Sequence, residues 1–213
     1  MKKFSLDYIR KEIIGNYSII ETPYGERNLF YADYTASGRN LKFIEEKLIN
    51  IEKSYANTHT TDDYTGKYLT DLLHQSEAKI KKFANAGKEY KIISTGSGST
   101  GALKKLQEIL GVYIPPATQD RIYSSIRSLG CDGCSILEKI NKDKPVVFIG
   151  PYEHHTNELM WREAFADLVV VELGSDGLIN MRDLRDKLSD KKYKDRIKIC
   201  SFSAGSNITG IIS

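Results

Sequence analysis

The sequence predicts an α/β protein with a mostly parallel sheet and helices on both faces of that sheet. The first observation is a set of short apolar runs, at residues 145–150, 168–173 and 196–202, separated by segments with helical periodicity. Strands that are buried on both faces of a parallel sheet have this composition. The second observation is that polar loops follow predicted strands, at the ends where open α/β sheets bind their ligands.

Helices are predicted wherever apolar residues recur at intervals of three and four. The segments with this pattern are residues 6–14, 40–53, 66–83, 118–128, 132–140, 157–165 and 180–189, together with a segment that begins near Gly98 and continues to Leu110. Gly87 is predicted to end the third helix, because glycine is common just after a helix C-terminus. Two further short strands are predicted at residues 28–32 and 91–94, and residues 55–64 are predicted to form an irregular polar loop.

The composition argues against several classes of protein. A formal net charge of +3 over 213 residues is too small to indicate nucleic-acid binding. No apolar run is long enough to cross a membrane, and residues 1–8 lack the apolar core of a signal peptide. We therefore expect a cytoplasmic protein that binds neither nucleic acid nor a membrane.

The three cysteines are Cys131, Cys134 and Cys200. Cys131 and Cys134 form a C-x-x-C pair, but no second pair is present to complete a zinc site. The pair also does not follow a predicted strand, as it does in thioredoxin-type motifs. We expect free thiols at the edge of a helix, with a local disulfide and a weak metal site as open alternatives.

The segment from Lys91 to Leu103 indicates an anion site, because an apolar run is followed by a Gly/Ser/Thr turn and then by a helix. Backbone N–H groups at a helix N-terminus bind phosphate, and glycine lets the ligand approach the backbone. Residues 96–101 match G-x-G-x-x-G, but Pro115 and Pro116 disfavour the second strand of a dinucleotide-binding unit. No lysine follows the glycines, as a Walker loop requires. The phosphate site of a pyridoxal 5′-phosphate (PLP) enzyme and a turn without a ligand are the other interpretations.

Three polar loops are predicted at one edge of the sheet. They comprise residues 94–101, 152–157 and 203–207, and each follows a predicted strand. The carboxyl ends of parallel strands meet at the same edge, so these loops are expected to form one binding site.

Four landmarks, in the same order along the chain, resemble the class V aminotransferase group of PLP enzymes, which includes cysteine desulfurases and selenocysteine lyases. They are residues 31–37, 94–99, 153–157 and 207–210. Trp161 also matches this group, whereas Met160 stands where the group has proline. The resemblance implies a fold type I PLP-binding large domain at residues 40–213, after an N-terminal segment at residues 1–39. An inserted helical excursion is expected near residues 113–144.

The resemblance also implies roles for individual residues. The backbone N–H groups of Ser97, Gly98 and Ser99, with the Ser99 hydroxyl, would bind the cofactor phosphate. His154 would stack on the cofactor ring and transfer protons near the substrate carbon. Asn207 would donate a hydrogen bond to the phenolic oxygen of the cofactor. An amino acid substrate and a homodimer are implied in the same way.

In this group an aspartate, a glutamine and the lysine that binds the cofactor covalently follow the position of Asn207, and here they would lie beyond Ser213. We therefore expect the N-terminal portion of a PLP-dependent transaminase or desulfurase/lyase, truncated before the cofactor lysine and inactive alone. Two alternatives stay open. One is a phosphate- or nucleotide-binding α/β module without catalysis. The other is a metal hydrolase that uses Asp33, His59, Asp62, His154 and His155.

Overall fold

The computed structural model describes residues 4–212, which fall into two units with the boundary between Ile93 and Ser94. The first unit contains three helices and a β-hairpin, and the second contains five helices and a parallel sheet. The division after residue 39 that the sequence suggested stays a prediction.

The first unit begins with helix α1 (Leu6–Glu12) and a hairpin of strands β1 (Ile19–Thr22) and β2 (Gly25–Asn28). The predicted strand at residues 28–32 is wrong, because residues 29–33 lie outside any strand. A tight turn at residues 22–25 sets the position of the hairpin strands. The Thr22 hydroxyl donates to the Gly25 carbonyl (2.6 Å) and accepts from the Tyr24 N–H (3.2 Å), so the hairpin closes earlier in the chain.

Two further helices, α2 (Lys42–Glu52) and α3 (Tyr64–Phe83), confirm the helical predictions for this unit. Helix α3 ends at Phe83, and the residue that terminates it is Asn85 rather than Gly87. Asn85 has a φ of 51°, its N–H donates to the Lys82 carbonyl (3.3 Å), and the next N–H donates to the Lys81 carbonyl (2.9 Å). This is a Schellman motif, in which asparagine takes the left-handed position that glycine usually occupies.

The second unit starts with helices α4 (Gly98–Ile109), α5 (Pro116–Arg127) and α6 (Cys131–Asp143). The predicted strand at residues 91–94 is wrong, since this segment is in no strand ladder and the Ile93 side chain is 56% exposed. A run of β-branched residues is compatible with a strand, but a strand forms only where a neighbour completes its hydrogen bonds. Helices α5 and α6 occupy the segment between α4 and the next strand.

The sheet consists of β3 (Val146–Ile149), β4 (Asp167–Val170) and β5 (Lys198–Ser201), all parallel, in the order β4-β3-β5. In this register Val147 lies opposite Leu168 on one side and Ile199 on the other. Every residue of β3 is buried, which places this strand at the centre of the core.

Helices cover both faces of the sheet, which confirms the predicted fold class. Val147 and Ile149 pack with Val112, Trp161 and Ala164, on the face covered by α4 and by α7 (His155–Arg162). Side chains alternate along a strand, so Val146 and Phe148 point to the opposite face. There they pack with Tyr193 of a short 3₁₀ helix and with helix α8 (Met181–Leu188). Among residues 4–212, no helix combines the length and apolar character needed to cross a membrane.

Candidate functional site

Three loops of the second unit carry the candidate site residues. We call them the glycine loop (residues 94–101), the β3 loop (residues 150–154) and the β5 loop (residues 202–207). The hydroxyls of Thr100 and Thr156, near the N-termini of α4 and α7, lie 3.2 Å apart. Buried Gln107 holds the two helices together, because its Nε2 donates to the Met160 carbonyl (2.8 Å). The glycine loop therefore lies beside the start of α7, and the expected meeting of all three loops stays a prediction.

Glu153 joins the β3 loop to the β5 loop. Its carboxylate accepts hydrogen bonds from the backbone N–H of Gly150 (3.0 Å), the backbone N–H of Ser203 (3.0 Å) and the Ser203 hydroxyl (2.5 Å). It also accepts from Nδ2 of Asn157 (2.8 Å). Donors from both loops thus surround one partly buried carboxylate, which fixes the position of one strand end against the other.

Asn157 extends this network into the core. Its Nδ2 donates to the Ser201 carbonyl (3.0 Å), and its Oδ1 accepts from the Ser201 hydroxyl (2.6 Å) and from Nε1 of Trp161 (3.0 Å). Trp161 is completely buried and Asn157 is 9% exposed. Because buried polar groups are costly unless they are hydrogen-bonded, this arrangement locks helix α7 onto β5.

His154 is the N-cap residue of α7. Its Nδ1 accepts a hydrogen bond from the Thr156 N–H (3.2 Å), while the ring is exposed to solvent. Because Nδ1 is an acceptor here, a neutral His154 carries its proton on Nε2. The neighbouring His155 ring is also exposed, with its centroid 6.1 Å from that of His154. One face of the His154 ring is thus open to a ligand.

The glycine loop presents backbone N–H groups to solvent. Ser97 is the N-cap residue of α4, but its side chain makes no capping hydrogen bond. The first N–H groups of a helix have no partner inside that helix, and both Gly98 and Ser99 are exposed to solvent. Gly98 has a φ of 68°, and a Cβ built on it would meet no atom within 4 Å. The space above Gly98 is therefore open, and the N-terminal partial charge of α4 favours an anion there.

Asn207 lies in a turn that Ser206 holds. The buried Ser206 hydroxyl accepts from the N–H groups of Ile208 (3.2 Å) and Thr209 (3.1 Å), and the Ser206 carbonyl accepts from the Gly210 N–H (2.9 Å). The Asn207 side chain is exposed. The structure thus leaves this amide accessible, and its role toward a cofactor stays a prediction, as do those of Ser97, Gly98, Ser99 and His154.

The roles of Glu153, Asn157 and Trp161 were missed, although these residues form part of a recognised sequence landmark. Their spacing of four residues carried a signal, since it places polar and aromatic groups on one face of a helix that starts just after a buried strand. A polar stripe on a core-facing helix must find hydrogen-bond partners, and here it finds them in β5 and the β5 loop.

The residues considered for a metal hydrolase do not form a metal site in the described part of the chain. Among residues 4–212, no group of three or more His, Cys, Asp or Glu side chains is placed to hold a metal ion.

Comparison with known proteins supports the fold. No protein-family model matches the sequence, and no curated protein matches it. Among solved structures, the apo structure of cysteine desulfurase from Thermococcus onnurineus NA1 is similar to the whole of this chain, with a TM-score of 0.67 and 21% sequence identity. The chain spans 43% of that protein's length. At this level of identity the likeness establishes a cysteine desulfurase-like fold.

Proposed function

We propose that this chain is the N-terminal portion of a PLP-dependent enzyme of the class V aminotransferase and cysteine desulfurase-like group, acting on an amino acid. The observation that carries the proposal is the placement of the open glycine loop beside the start of α7, where His154 exposes its ring. This pairing occurs within a cysteine desulfurase-like fold. An anion site and an aromatic ring side by side suit a phosphorylated, planar cofactor.

The glycine loop fits the phosphate group of such a cofactor. The backbone N–H groups of Ser97, Gly98 and Ser99 would bind phosphate oxygens, with help from the positive end of α4. No Cβ occupies the space above Gly98, so a phosphate can approach the backbone closely. The hydroxyl of Ser99 is exposed and would add another donor.

His154 fits the cofactor ring. The hydrogen bond from Thr156 to Nδ1 orients the imidazole, and the exposed face would stack on the pyridine ring. Nε2 would then hold or release a proton near the substrate carbon. Asn207 would donate a hydrogen bond to the phenolic oxygen. PLP itself supplies an electron sink when it is bound, while the protein orients it.

The Glu153 network would position these groups by holding the loops that carry them. It fixes the β3 loop, which carries His154, against the β5 loop, which leads to Asn207. The chain alone is expected to be inactive, because the lysine that binds the cofactor covalently is proposed to belong to the remainder of the enzyme.

The rival proposal is a phosphate- or nucleotide-binding module without catalysis, which the open N–H groups of the glycine loop would also serve. A dinucleotide-binding unit is disfavoured within the described residues, because α4 is followed by α5 and α6 rather than by a strand. The remaining distinction is whether the loop recognises a pyridoxine ring as well as a phosphate.

Binding of pyridoxine 5′-phosphate, measured by calorimetry, tests the proposal, because this analogue lacks the aldehyde and cannot react with lysines. We expect Gly98→Val to weaken binding at least about tenfold, which corresponds to about 1.4 kcal/mol. Gly111→Val is the matched control, since Gly111 follows the other end of α4, has a φ of 70° and also has open space around its Cβ position. We expect that variant to bind normally.

His154→Ala separates the two proposals. For a PLP enzyme, the loss of ring stacking weakens pyridoxine 5′-phosphate but leaves the binding of inorganic phosphate unchanged. Equal affinity for pyridoxine 5′-phosphate, AMP and inorganic phosphate, insensitive to His154→Ala, would favour the module without catalysis. Unchanged binding in Gly98→Val would contradict both proposals.

A further inference from the structure

A second chemically reactive feature lies in the hairpin of α5 and α6, which the proposed function does not use. Cys131 is the first residue of α6 and Cys134 lies three residues later. Both thiols are free and exposed to solvent. The pair therefore opens a helix, although the preceding element is a helix rather than the strand of thioredoxin-type motifs.

Packing fixes the first turn of α6 in place. Gly133, between the two cysteines, is buried, and a Cβ built on it would lie 1.9 Å from the carbonyl oxygen of Ile126 in α5. Any larger residue would force the helices apart. Gly130, with a φ of 67°, lets the chain turn directly from α5 into α6. The two thiols thus sit on a turn that is pressed against a neighbouring helix.

The spacing of the thiols brings them close to disulfide geometry. Side chains three residues apart share one face of a helix, with Cβ atoms about 5–6 Å apart. A disulfide requires a Cβ separation of about 3.5–4.5 Å. Formation of the disulfide therefore requires the first turn of α6 to tighten slightly, and helix ends can tighten by adopting a 3₁₀ turn. A disulfide that tightens its turn is also more easily reduced than a relaxed one.

We propose that Cys131 and Cys134 form a reversible redox dithiol whose oxidant is a low-molecular-weight disulfide of the glutathione type. One cysteine thiolate attacks a sulfur of the oxidant, forms a mixed disulfide and releases one thiolate. The other cysteine thiolate then attacks the protein sulfur of the mixed disulfide and releases the second thiolate. Two protein thiols lose two electrons and two protons, and the oxidant becomes two thiols.

The surroundings favour this chemistry over zinc binding. Within residues 4–212, no third His, Cys, Asp or Glu joins the pair in an arrangement that could hold a metal. Cys200 provides an internal comparison, because it is also exposed but lies in β5, where desolvation raises the pKa of its thiol. A raised pKa lowers the thiolate fraction, so Cys200 is expected to react slowly.

Titration of the full chain with glutathione buffers tests the proposal. After each equilibration the protein is acid-quenched and alkylated under denaturing conditions, and its mass is measured by mass spectrometry. We expect two of the three alkylatable thiols to disappear together, and dithiothreitol to restore both. Trypsin cleaves after Arg127 and Lys139, so both cysteines of the pair fall in one peptide, which should be lighter by two hydrogens. Circular dichroism verifies that the protein remains folded.

Serine variants provide the controls. The Cys200→Ser variant should form the disulfide between Cys131 and Cys134 as the wild type does. Cys131→Ser and Cys134→Ser should instead stop at a single glutathione adduct. Three results would overturn the proposal: a pair that stays open in excess oxidised glutathione without reduced glutathione, glutathione adducts on both cysteines of the wild type, or a bond from either cysteine to Cys200.

Discussion

At the scale of single residues, the Glu153 carboxylate connects two loops and a helix, a role that the sequence analysis did not give it. Glu153 accepts hydrogen bonds from donors in the β3 loop, the β5 loop and helix α7. If this carboxylate is removed, the backbone N–H groups of Gly150 and Ser203 and the Ser203 hydroxyl lose their acceptor in a partly buried place, and the Asn157 amide loses one of its two acceptors. Unpaired buried donors cost more than the average hydrogen bond contributes.

Glu153→Ala is therefore expected to lower the free energy of unfolding by roughly 2–4 kcal/mol. Glu158→Ala is the control in the first turn of α7, because Glu158 makes a solvent-accessible i,i+4 ion pair with Arg162. Such a pair contributes less than about 1 kcal/mol. Urea unfolding of both variants measures the difference. Equal effects would show that the Glu153 network does not hold the two loops together.

The candidate site residues could be predicted because they lie in ordered landmarks, whereas their supporting network could not. The Gly/Ser/Thr composition of the glycine loop indicates open N–H groups whatever surrounds it. One partner of Glu153, Ser203, lies 50 residues away along the chain. Such a contact depends on the strand order of the sheet, which local sequence patterns do not encode.

At the scale of elements, a charged pair anchors α8 to the end of β4. Asp183 accepts from the Glu172 N–H (2.8 Å) and from Nζ of Lys187 (2.7 Å), and Nζ of Lys187 also donates to the Val170 carbonyl (2.9 Å). The backbone hydrogen bond from Glu172, followed by the contact with Lys187, lowers the pKa of the Asp183 carboxyl. The folded state thus favours the ionised form of Asp183.

This lowered pKa predicts a pH-dependent effect of Asp183→Asn. A carboxyl whose pKa is lower in the folded than in the unfolded state stabilises the fold above its unfolded pKa of about 3.9. That contribution is lost as the pH falls through the lowered folded pKa. We therefore expect Asp183→Asn to reduce the melting temperature at pH 7, with the difference from wild type shrinking below about pH 4. A difference that is constant from pH 7 to pH 3 would contradict this prediction.

Helices were easier to predict than strands for a physical reason. Helical periodicity is local, and all the predicted helices are present. The predicted strands at residues 28–32 and 91–94 failed because strand formation depends on a partner or on a turn elsewhere. The three strands of the sheet were predicted correctly because their apolar runs contribute to the core of the second unit.

At the scale of the whole molecule, the first unit exposes a large amount of apolar surface. Among its described residues only Gly66 and Thr70 are buried, so no apolar side chain there is buried. On and beside α3, Phe83 is 93% exposed, Tyr64 77% and Tyr55 68%. Exposed patches of this kind mark surfaces that associate.

We expect the chain to form a homodimer or a larger assembly through α3 and residues 55–64, over at least roughly 1,000 Å² in total. Phe83→Asp should shift the protein toward the monomer in sedimentation at micromolar concentration. Tyr24→Asp is the control, since Tyr24 is 84% exposed but lies in the hairpin turn. A wild-type protein that sediments as a monomer would contradict this expectation.

The proposed function requires the glycine loop to bind a phosphorylated pyridoxine ring. A titration of isotope-labelled protein with pyridoxine 5′-phosphate, followed through the backbone amide signals in NMR spectra, measures this binding directly. We predict saturable shifts at Ser97, Gly98 and Ser99, with His154 also affected, and no shift at Gly111. A competing lysine-rich surface is lined by Lys142, Lys191, Lys192, Lys194 and Arg196, together with Asp143 and Asp195. Shifts confined to that lysine-rich surface, with the glycine loop unchanged, would contradict the proposed function.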